Sequence, residues 1–333
     1  MKRTLGILLA VALLCFGEAC RRTSGPAPKN QARITADRVE VKKTRATLSP
    51  LVDELHRGDQ VEVLSREPHW LRIRTANRKE GWIEEGSAMD QAIVDAEKKL
   101  AEEIQKEVIQ AVGELSSATN LRTAPGRETP IFARIPKDTK VEVFDRTLTD
   151  RAQAAGTAPA PPASSENQPK KDPWLKIRTE KGEAGWVYSP SVNFSVPDQI
   201  VQYSESRRIV AWLVLNQIGV EGDKKVNQYV VADVEPGVAH DYDFDRIRVF
   251  TWNTKRSRYE TAYRESKIFG VYPIRVFLNE GKPAFEITRL NEASQDSPKV
   301  TERYVMNGVL VRRLDENQHP MPATSTPRHR RKR

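Results

Sequence analysis

The chain has 333 residues, of which 38% are hydrophobic and 30% are charged, a length that allows several small domains, each with its own core. Its 54 Lys and Arg residues outnumber 45 Asp and Glu residues, for a net charge of +9, but seven of these cations lie at the two ends of the chain. The body between them is almost neutral, so we expect no nucleic-acid partner.

The N-terminus has the layout of an export signal. Lys2 and Arg3 precede an apolar run from Leu5 to Phe16, which is too short to span a bilayer. We therefore predict a signal peptide over residues 1–19. The residues before Cys20 read Gly17-Glu18-Ala19, which resembles the lipobox of bacterial lipoproteins and also fits ordinary signal cleavage.

The cysteines favour lipid attachment. Cys15 would leave with the signal, so the mature chain has only Cys20 and forms no internal disulfide. A lone cysteine at the cleavage junction of an exported protein is better explained by lipidation than by a free thiol in an oxidising compartment. We expect a lipoprotein anchored to a membrane through Cys20 and facing the periplasm or the cell exterior. Residues 20–32, rich in Pro, Gly and Ser, predict a flexible tether.

A block of residues in the first half of the chain occurs twice. The first copy contains Val61-Glu62-Val63, Trp70-Leu71-Arg72-Ile73-Arg74-Thr75 and Gly81-Trp82-Ile83. The second contains Val141-Glu142-Val143, Trp174-Leu175-Lys176-Ile177-Arg178-Thr179 and Gly185-Trp186-Val187. Apolar and polar residues alternate within each copy, as in half-buried strands. The repeat predicts two small antiparallel β modules, over residues 33–87 and 117–194.

Two other segments interrupt the repeat. Between the copies, an apolar stripe at steps of three or four residues predicts a helix over residues 88–113, ending at Gly113. The stripe is suited to packing within the chain, and self-association as a coiled coil is the alternative. The second copy also has an insert at about 147–172, whose Pro, Ala and Ser residues predict a disordered loop.

The last third predicts an antiparallel β domain over residues 197–315. Six to eight strands alternate with turns, among them one from Arg258 to Tyr263 and another from Ile274 to Leu278, and Asn307-Gly308 supplies the clearest hairpin. Residues 316–333 predict a disordered basic tail. The tail is either a solvated terminus or an electrostatic contact with anionic lipid or wall polymer.

The two copies resemble the bacterial SH3-like domain, a small barrel common in cell-envelope proteins. The second copy opens with Asn120-Leu121-Arg122-Thr123-Ala124-Pro125-Gly126, and both copies close with Gly-Trp followed by Ile or Val. The first copy keeps Arg57-Gly58-Asp59 but lacks the opening Asn and Pro-Gly. The expected fold is mainly β, with two SH3-like barrels joined by a helix and a C-terminal antiparallel domain.

The resemblance implies recognition of peptidoglycan peptides, and aromatic side chains beside a polar loop suit such binding. We expect Trp82 and Trp186 to be structural. The candidate ligand-binding residues are Trp70, Trp174, Tyr188, Asn120 and Arg122.

The sequence gives little support for catalysis or cofactor binding. Asp241, Asp243 and Asp245 alternate in one segment and form a weak Ca²⁺ candidate, against a solvated acidic loop as the simpler interpretation. No serine elbow, zinc helix or phosphate loop is present. We expect a non-enzyme without a cofactor.

The sequence therefore predicts a non-catalytic envelope lipoprotein whose SH3-like modules bind cell-wall peptide or an envelope protein. One alternative is a scaffold or assembly protein that acts through the helix and the C-terminal β domain. The other is a carboxylate-dependent hydrolase or a Ca²⁺-binding C-terminal domain.

Overall fold

The protein is mainly β, as predicted, and its described residues form three antiparallel sheets of seven strands and two α-helices. The computed structural model describes residues 30–46, 48–150, 171–220, 224–237, 240–294 and 296–315. The chain divides into two compact units, one ending at Ala92 and the other beginning at Ile93. The first unit holds one sheet, and the second holds the other two.

The first sheet, called here the first module, covers residues 31–90. Its strands follow the order β3-β2-β6-β5-β4-β1-β7. Its core consists of every second residue along the strands, which points inward, such as Val39, Val41, Leu71 and Ile73. The strands are β1 (Gln31–Ile34), β2 (Arg38–Lys42), β3 (Leu51–His56), β4 (Gln60–Glu67), β5 (Trp70–Arg74), β6 (Glu80–Glu84) and β7 (Ala88–Asp90).

Helix α1 (Gln91–Ile104) follows, and then the second sheet, called the second module, covers residues 111–194. Its strand order is β10-β9-β13-β12-β11-β8-β14. The strands are β8 (Ala111–Leu115), β9 (Thr119–Arg122), β10 (Ile131–Ile135), β11 (Lys140–Asp150), β12 (Lys171–Thr179), β13 (Ala184–Tyr188) and β14 (Val192–Phe194).

The two modules have the same topology. Adding seven to each strand number of the first module gives the strand order of the second. Both sheets remain open between their edge strands, β3 and β7 in one and β10 and β14 in the other, so neither predicted barrel is closed by hydrogen bonds within the described residues.

The glycine of each Gly-Trp motif lies where two strands approach closely. A Cβ atom on Gly81 would be 2.6 Å from Val41 Cγ1 and 2.7 Å from the Lys42 carbonyl oxygen. A Cβ atom on Gly185 would be 2.7 Å from Leu121 Cγ. The motif therefore repeats because both modules need a residue without a side chain at this crossing.

Several element boundaries in the structure differ from those predicted from the sequence. Strand β1 begins at Gln31, inside the predicted tether. The helix predicted over 88–113 covers only Gln91–Ile104, because β7 precedes it and β8 follows it. Gly113 does not end a helix: it lies in β8 against β14, where a Cβ atom would be 2.4 Å from the Asn193 carbonyl oxygen. Each module therefore has an additional first strand that the repeat did not reveal.

The predicted insert is shorter than expected. Strand β11 continues to Asp150 and β12 begins at Lys171, and these two residues are paired. Residues 151–170 lie outside the described part of the chain. So do the predicted signal, Cys20, most of the tether and the basic tail.

The third sheet, the C-terminal sheet, is the predicted antiparallel meander, because its seven strands pair in chain order. Two strands predicted around Tyr263 and Ile274 are a single 22-residue strand, which pairs first with β17 and then with β19. Helix α2 (Asp198–Val201) precedes the sheet. The strands are β15 (Arg208–Gly219), β16 (Lys225–Val234), β17 (Phe244–Asn253), β18 (Arg258–Asn279), β19 (Lys282–Leu290), β20 (Lys299–Asn307) and β21 (Leu310–Arg313).

Gln110 joins the second module to the C-terminal sheet. Its backbone N–H donates to the Val143 carbonyl, and its own carbonyl accepts from the Trp212 N–H. Its buried side chain accepts from the Ile274 N–H at 2.7 Å and donates to the Ile274 carbonyl at 3.1 Å. One residue thus satisfies backbone groups of β11, β15 and β18.

Candidate functional site

The outer face of the second module carries a set of aromatic and cationic side chains. In the strand register, Trp174 lies opposite Tyr188, Lys176 opposite Trp186, and Trp186 opposite Arg122. Paired residues share a face, and Leu175, Ile177 and Val187 between them point into the core. This face, here the second aromatic face, brings together three of the predicted ligand-binding residues. Its members are Arg122, Trp174, Lys176, Trp186 and Tyr188.

These side chains contact one another. The Trp174 and Tyr188 rings meet edge to face, with their centroids 5.8 Å apart. The Arg122 guanidinium lies 5.8 Å from the Trp174 ring, and Lys176 Nζ lies 5.4 Å from the Trp186 ring. Cations over aromatic faces gain from the ring quadrupole, so the arrangement is ordered without a ligand.

Helix α1 covers part of the second aromatic face. Leu100 of the helix packs against Trp174 and Trp186, and these two tryptophans are only 3% and 8% exposed. The Trp174 indole Nε1–H donates to Thr149 Oγ1 at 3.0 Å. Glu107, beyond the helix, pairs with Lys176 Nζ at 2.8 Å. The helix therefore packs within the chain, and its stripe is too short for a coiled coil.

The remaining predicted residues of this module have different environments. Trp186 is buried, as a structural residue is expected to be, but it belongs to the cluster with Leu100 rather than to the module core. Asn120 lies two residues before Arg122, on the same side of β9, and is half-buried. Arg122 donates to the Thr129 carbonyl, and burial lowers the pKa of its guanidinium.

The first module repeats the layout of this face. Trp70 lies opposite Glu84, Arg72 opposite Trp82, and Trp82 opposite Lys42. These residues form the first aromatic face, with Glu84 in the place of Tyr188. Trp70 and Trp82 are both half-buried, so Trp82, which was expected to be structural, lies outside the core of the first module.

One cation lies over the first aromatic face. The Arg45 guanidinium is 5.2 Å from the Trp82 ring, and it also pairs with Glu67. The Trp70 ring makes no aromatic stacking or cation–π contact within the described residues. Of the two predicted groove tryptophans, Trp70 therefore has more surface free for a ligand than Trp174.

A groove of about 690 Å³ lies beside the helix on the second module. Ala101 of α1 and Gln105 just after the helix line one side, and Glu142 and Arg178 of β11 and β12 also line the groove. Arg178 Nη2 and Glu142 Oε2 are 2.6 Å apart, so these charges neutralise each other. None of the predicted ligand-binding residues lines this groove.

The three aspartates of the Ca²⁺ candidate do not converge. Asp241 pairs with Lys171 at 3.1 Å, and Asp243 pairs with Arg146 at 2.8 Å. Asp245 pairs with Arg207. Each carboxylate has a different cationic partner, and no group of three potential metal ligands occurs within the described residues.

Arg146 is the centre of the junction between the second module and the C-terminal sheet. Besides Asp243, it donates to the carbonyl groups of Tyr242 at 3.1 Å and His240 at 3.3 Å. Asp243 is buried and also accepts from the Tyr272 N–H at 2.7 Å. No local motif in the sequence indicated Arg146, because its partners lie almost a hundred residues away.

Asp145, next to Arg146, has a perturbed carboxyl group. Burial raises its pKa to about 6, against a hydrogen bond from the Arg146 backbone N–H that lowers it, and the nearby Asp243 carboxylate raises it further. Asp145 lines a cavity of about 220 Å³ with Asp241, Asp243 and Lys299. No motif in the sequence indicated that Asp145 would be perturbed.

A second cavity, of about 200 Å³, lies at the same junction, and Arg208 and His240 both line it. The Arg208 guanidinium lies 5.2 Å from the Phe194 ring and makes no hydrogen bond or ion pair within the described residues. The His240 ring stacks on Tyr242, and its Nε2 atom is buried without a hydrogen-bond partner in that part of the chain. Burial lowers the pKa of His240, although a backbone hydrogen bond to Glu235 raises it.

Residues 117–193 match the family described as the bacterial SH3 domain. The second module resembles that domain. Its first strand, β8, lies outside the matched residues. No curated protein matches the chain significantly.

Three solved structures show weak similarity. NlpC2 of Trichomonas vaginalis is 14% identical with a TM-score of 0.17, over 89% of this chain and 95% of that chain. NlpC1 of the same organism is 11% identical with a TM-score of 0.17, over 89% and 91%. An NlpC/P60 family protein of Bacillus cereus is 10% identical with a TM-score of 0.18, over 81% and 93%. Values this low transfer neither an overall fold nor an activity to this chain.

The described segments between residues 30 and 315 contain the helices α1 and α2. No helix there is both long enough and apolar enough to cross a bilayer.

Proposed function

We propose that this chain is a non-catalytic cell-envelope protein whose SH3-like modules bind cell-wall peptide. The match of residues 117–193 to the bacterial SH3 domain supports an envelope role. The repeated outer face carries the proposal. Two tryptophans flanked by cations occupy the same strand positions in both modules, and in the first module they are only half-buried and lie outside the apolar core.

The first aromatic face is the proposed main binding surface. Trp174 and Trp186 are already in contact with Leu100, so a ligand would have to displace the helix from the second face. Trp70 and Trp82 are half-exposed, and a peptide backbone or an apolar side chain is able to stack on them. Lys42 nearby makes no ion pair within the described residues and suits the carboxylates of wall peptides, whereas Arg45 and Arg72 are already paired with Glu67 and Glu80.

Co-sedimentation with purified peptidoglycan tests this function. Trp70→Ala is expected to weaken binding about tenfold, because a stacking surface worth about 1.4 kcal/mol is lost. Trp252→Ala is the matched control, since Trp252 is also half-buried but lies in the C-terminal sheet. Equal binding by the two variants, or no sedimentation of the unaltered protein, would contradict the proposal.

We further propose that lipid on Cys20 anchors the protein to a membrane. The lipobox-like residues before Cys20 and the absence of any other cysteine in the mature chain support this. Metabolic labelling with a fatty acid is expected to mark the protein, and Cys20→Ser is expected to abolish the label. A labelled Cys20→Ser variant, or an unlabelled parent protein, would show that Cys20 is not the anchor.

A further inference from the structure

The 200 Å³ cavity at the junction of the second module and the C-terminal sheet contains two polar groups without partners. Arg208 carries a guanidinium with no hydrogen bond or ion pair within the described residues. His240 Nε2 is buried and unpaired in the same part of the chain. Buried polar groups are normally satisfied, so His240 Nε2 indicates a missing donor. Arg208 is an exposed residue, and its guanidinium offers a cation at the same cavity.

The chemistry of the two groups differs. A guanidinium only donates hydrogen bonds and keeps its charge, so its partner is an anion, and a carboxylate fits its planar fork best. The other nitrogen of His240 is engaged with the Glu235 backbone, and burial disfavours the charged ring. Nε2 is then an acceptor, and its partner must be an N–H or O–H donor.

The other walls of the cavity limit the size and polarity of a ligand. Leu175, Val210 and Val234 supply apolar surface, and the Tyr272 hydroxyl is already used by the Val210 carbonyl at 2.5 Å. Arg146 is not free to bind a second anion, because Asp243 already pairs with it. A volume of about 200 Å³ holds a single small amino-acid residue.

We propose that this cavity binds the C-terminal residue of a peptide. Its carboxylate pairs with Arg208, its amide N–H donates to His240 Nε2, and a small apolar side chain packs on the valines. The site uses neither aromatic face, so it is independent of Trp70. It gives the chain a second way to contact peptide, at the C-terminal sheet.

A titration of the whole protein with N-acetylalanine, in both enantiomers, tests the site by NMR of the His240 ring. At least one enantiomer is expected to shift the His240 signals with a saturable dissociation constant. Arg208→Gln is expected to weaken binding about tenfold, as is replacing the acid by N-acetylalaninamide, because each removes the charge pair. Arg312→Gln is the matched control, since Arg312 is exposed on β21 and makes no ion pair among the described residues.

The outcomes separate clearly. Weaker binding by Arg208→Gln, with unchanged binding by Arg312→Gln and by Trp70→Ala, supports the site. Equal affinity for the acid and the amide, equal binding by the two arginine variants, or no saturable shift with either enantiomer would overturn it. Since Trp70 is not involved, loss of peptidoglycan sedimentation in Trp70→Ala leaves this result unaffected.

Discussion

At the residue scale, Gln110 has a larger structural role than its sequence context suggests. Its side chain is fully buried and bonds both backbone groups of Ile274. Gln110→Ala is expected to lower the free energy of unfolding by about 2–4 kcal/mol, because it leaves a buried N–H and a buried carbonyl unpaired. Urea denaturation measures the change. Gln217→Ala, an exposed control, is expected to change stability by less than about 0.5 kcal/mol. Similar losses in both variants would show that the hydrogen bonds between Gln110 and Ile274 do not stabilise the fold.

Asp145 makes stability depend on pH. Its carboxyl group has a pKa of about 6 in the folded chain against an ordinary value of 3.8, so between these pH values the folded protein binds a proton that the unfolded chain does not. This contribution therefore makes folding more favourable as the pH falls from about 7 to about 4. Asp145→Asn is expected to raise stability at pH 7 by roughly 2–3 kcal/mol and to remove this slope.

The measurement for Asp145 is urea denaturation of wild type and variant across that pH range. Asp150→Asn serves as the control, because Asp150 is exposed at the end of the same strand. A stability difference between wild type and Asp145→Asn that stays constant from pH 4 to pH 7 would show that Asp145 titrates normally.

At the scale of elements, the glycine of each Gly-Trp motif lies where two strands approach closely. Gly185→Ala is expected to destabilise the second unit by about 1–3 kcal/mol, because the new Cβ atom meets Leu121 and the Arg122 carbonyl at 2.9 Å or less. Gly86→Ala, where a Cβ atom meets nothing within 4 Å, is the control. Thermal unfolding of both variants measures the effect. An unchanged midpoint for Gly185→Ala would show that the strands do not approach too closely at this position for a side chain.

Helix α1 protects the second aromatic face. Leu100→Ser is expected to speed hydrogen exchange of the Trp174 indole N–H severalfold, because the apolar cover over its ring is removed. Glu102→Ser changes an exposed residue of the same helix and is expected to leave that exchange unchanged. Resolved indole signals in NMR spectra report the rates, and equal rates in the two variants would mean that Leu100 does not cover the face.

The elements themselves were partly predictable. Strict alternation around Trp70 and Trp174 gave the strands of both modules, and Asn307-Gly308 gave the last hairpin. Gly113 misled the prediction, because a glycine at a strand crossing and a glycine after a helix look alike in sequence. The merging of two predicted strands into β18 also had no local signal, since it depends on which neighbours the two halves pair with.

The candidate sites were also predictable only in part. Trp174, Tyr188 and Arg122 were named as candidates from the repeat and the family resemblance, and the strand register places all three on one face. Burial of that face by Leu100 was not predictable, and neither was the pairing of Arg146 with Asp243, because both depend on tertiary packing. Asp145 and Arg208 likewise acquire their properties only from that packing.

At the scale of the whole molecule, the two modules share a topology but differ in the state of their outer faces. The first unit, which ends at Ala92, has its own core and half-exposed tryptophans. The second unit contains the covered face, joined through Gln110 to the C-terminal sheet. The chain therefore has one module with a half-exposed aromatic face and one module whose corresponding face is covered by a helix.

The most direct test separates these two units. Residues 30–92 and residues 93–315 are prepared as separate proteins, and each is sedimented with purified peptidoglycan. Binding by residues 30–92 that is weakened by Trp70→Ala, together with much weaker binding by residues 93–315 that increases with Leu100→Ser, is the predicted result. Sedimentation of residues 93–315 alone, with no binding by a folded 30–92 module, would contradict the assignment of the open aromatic face as the wall-binding surface.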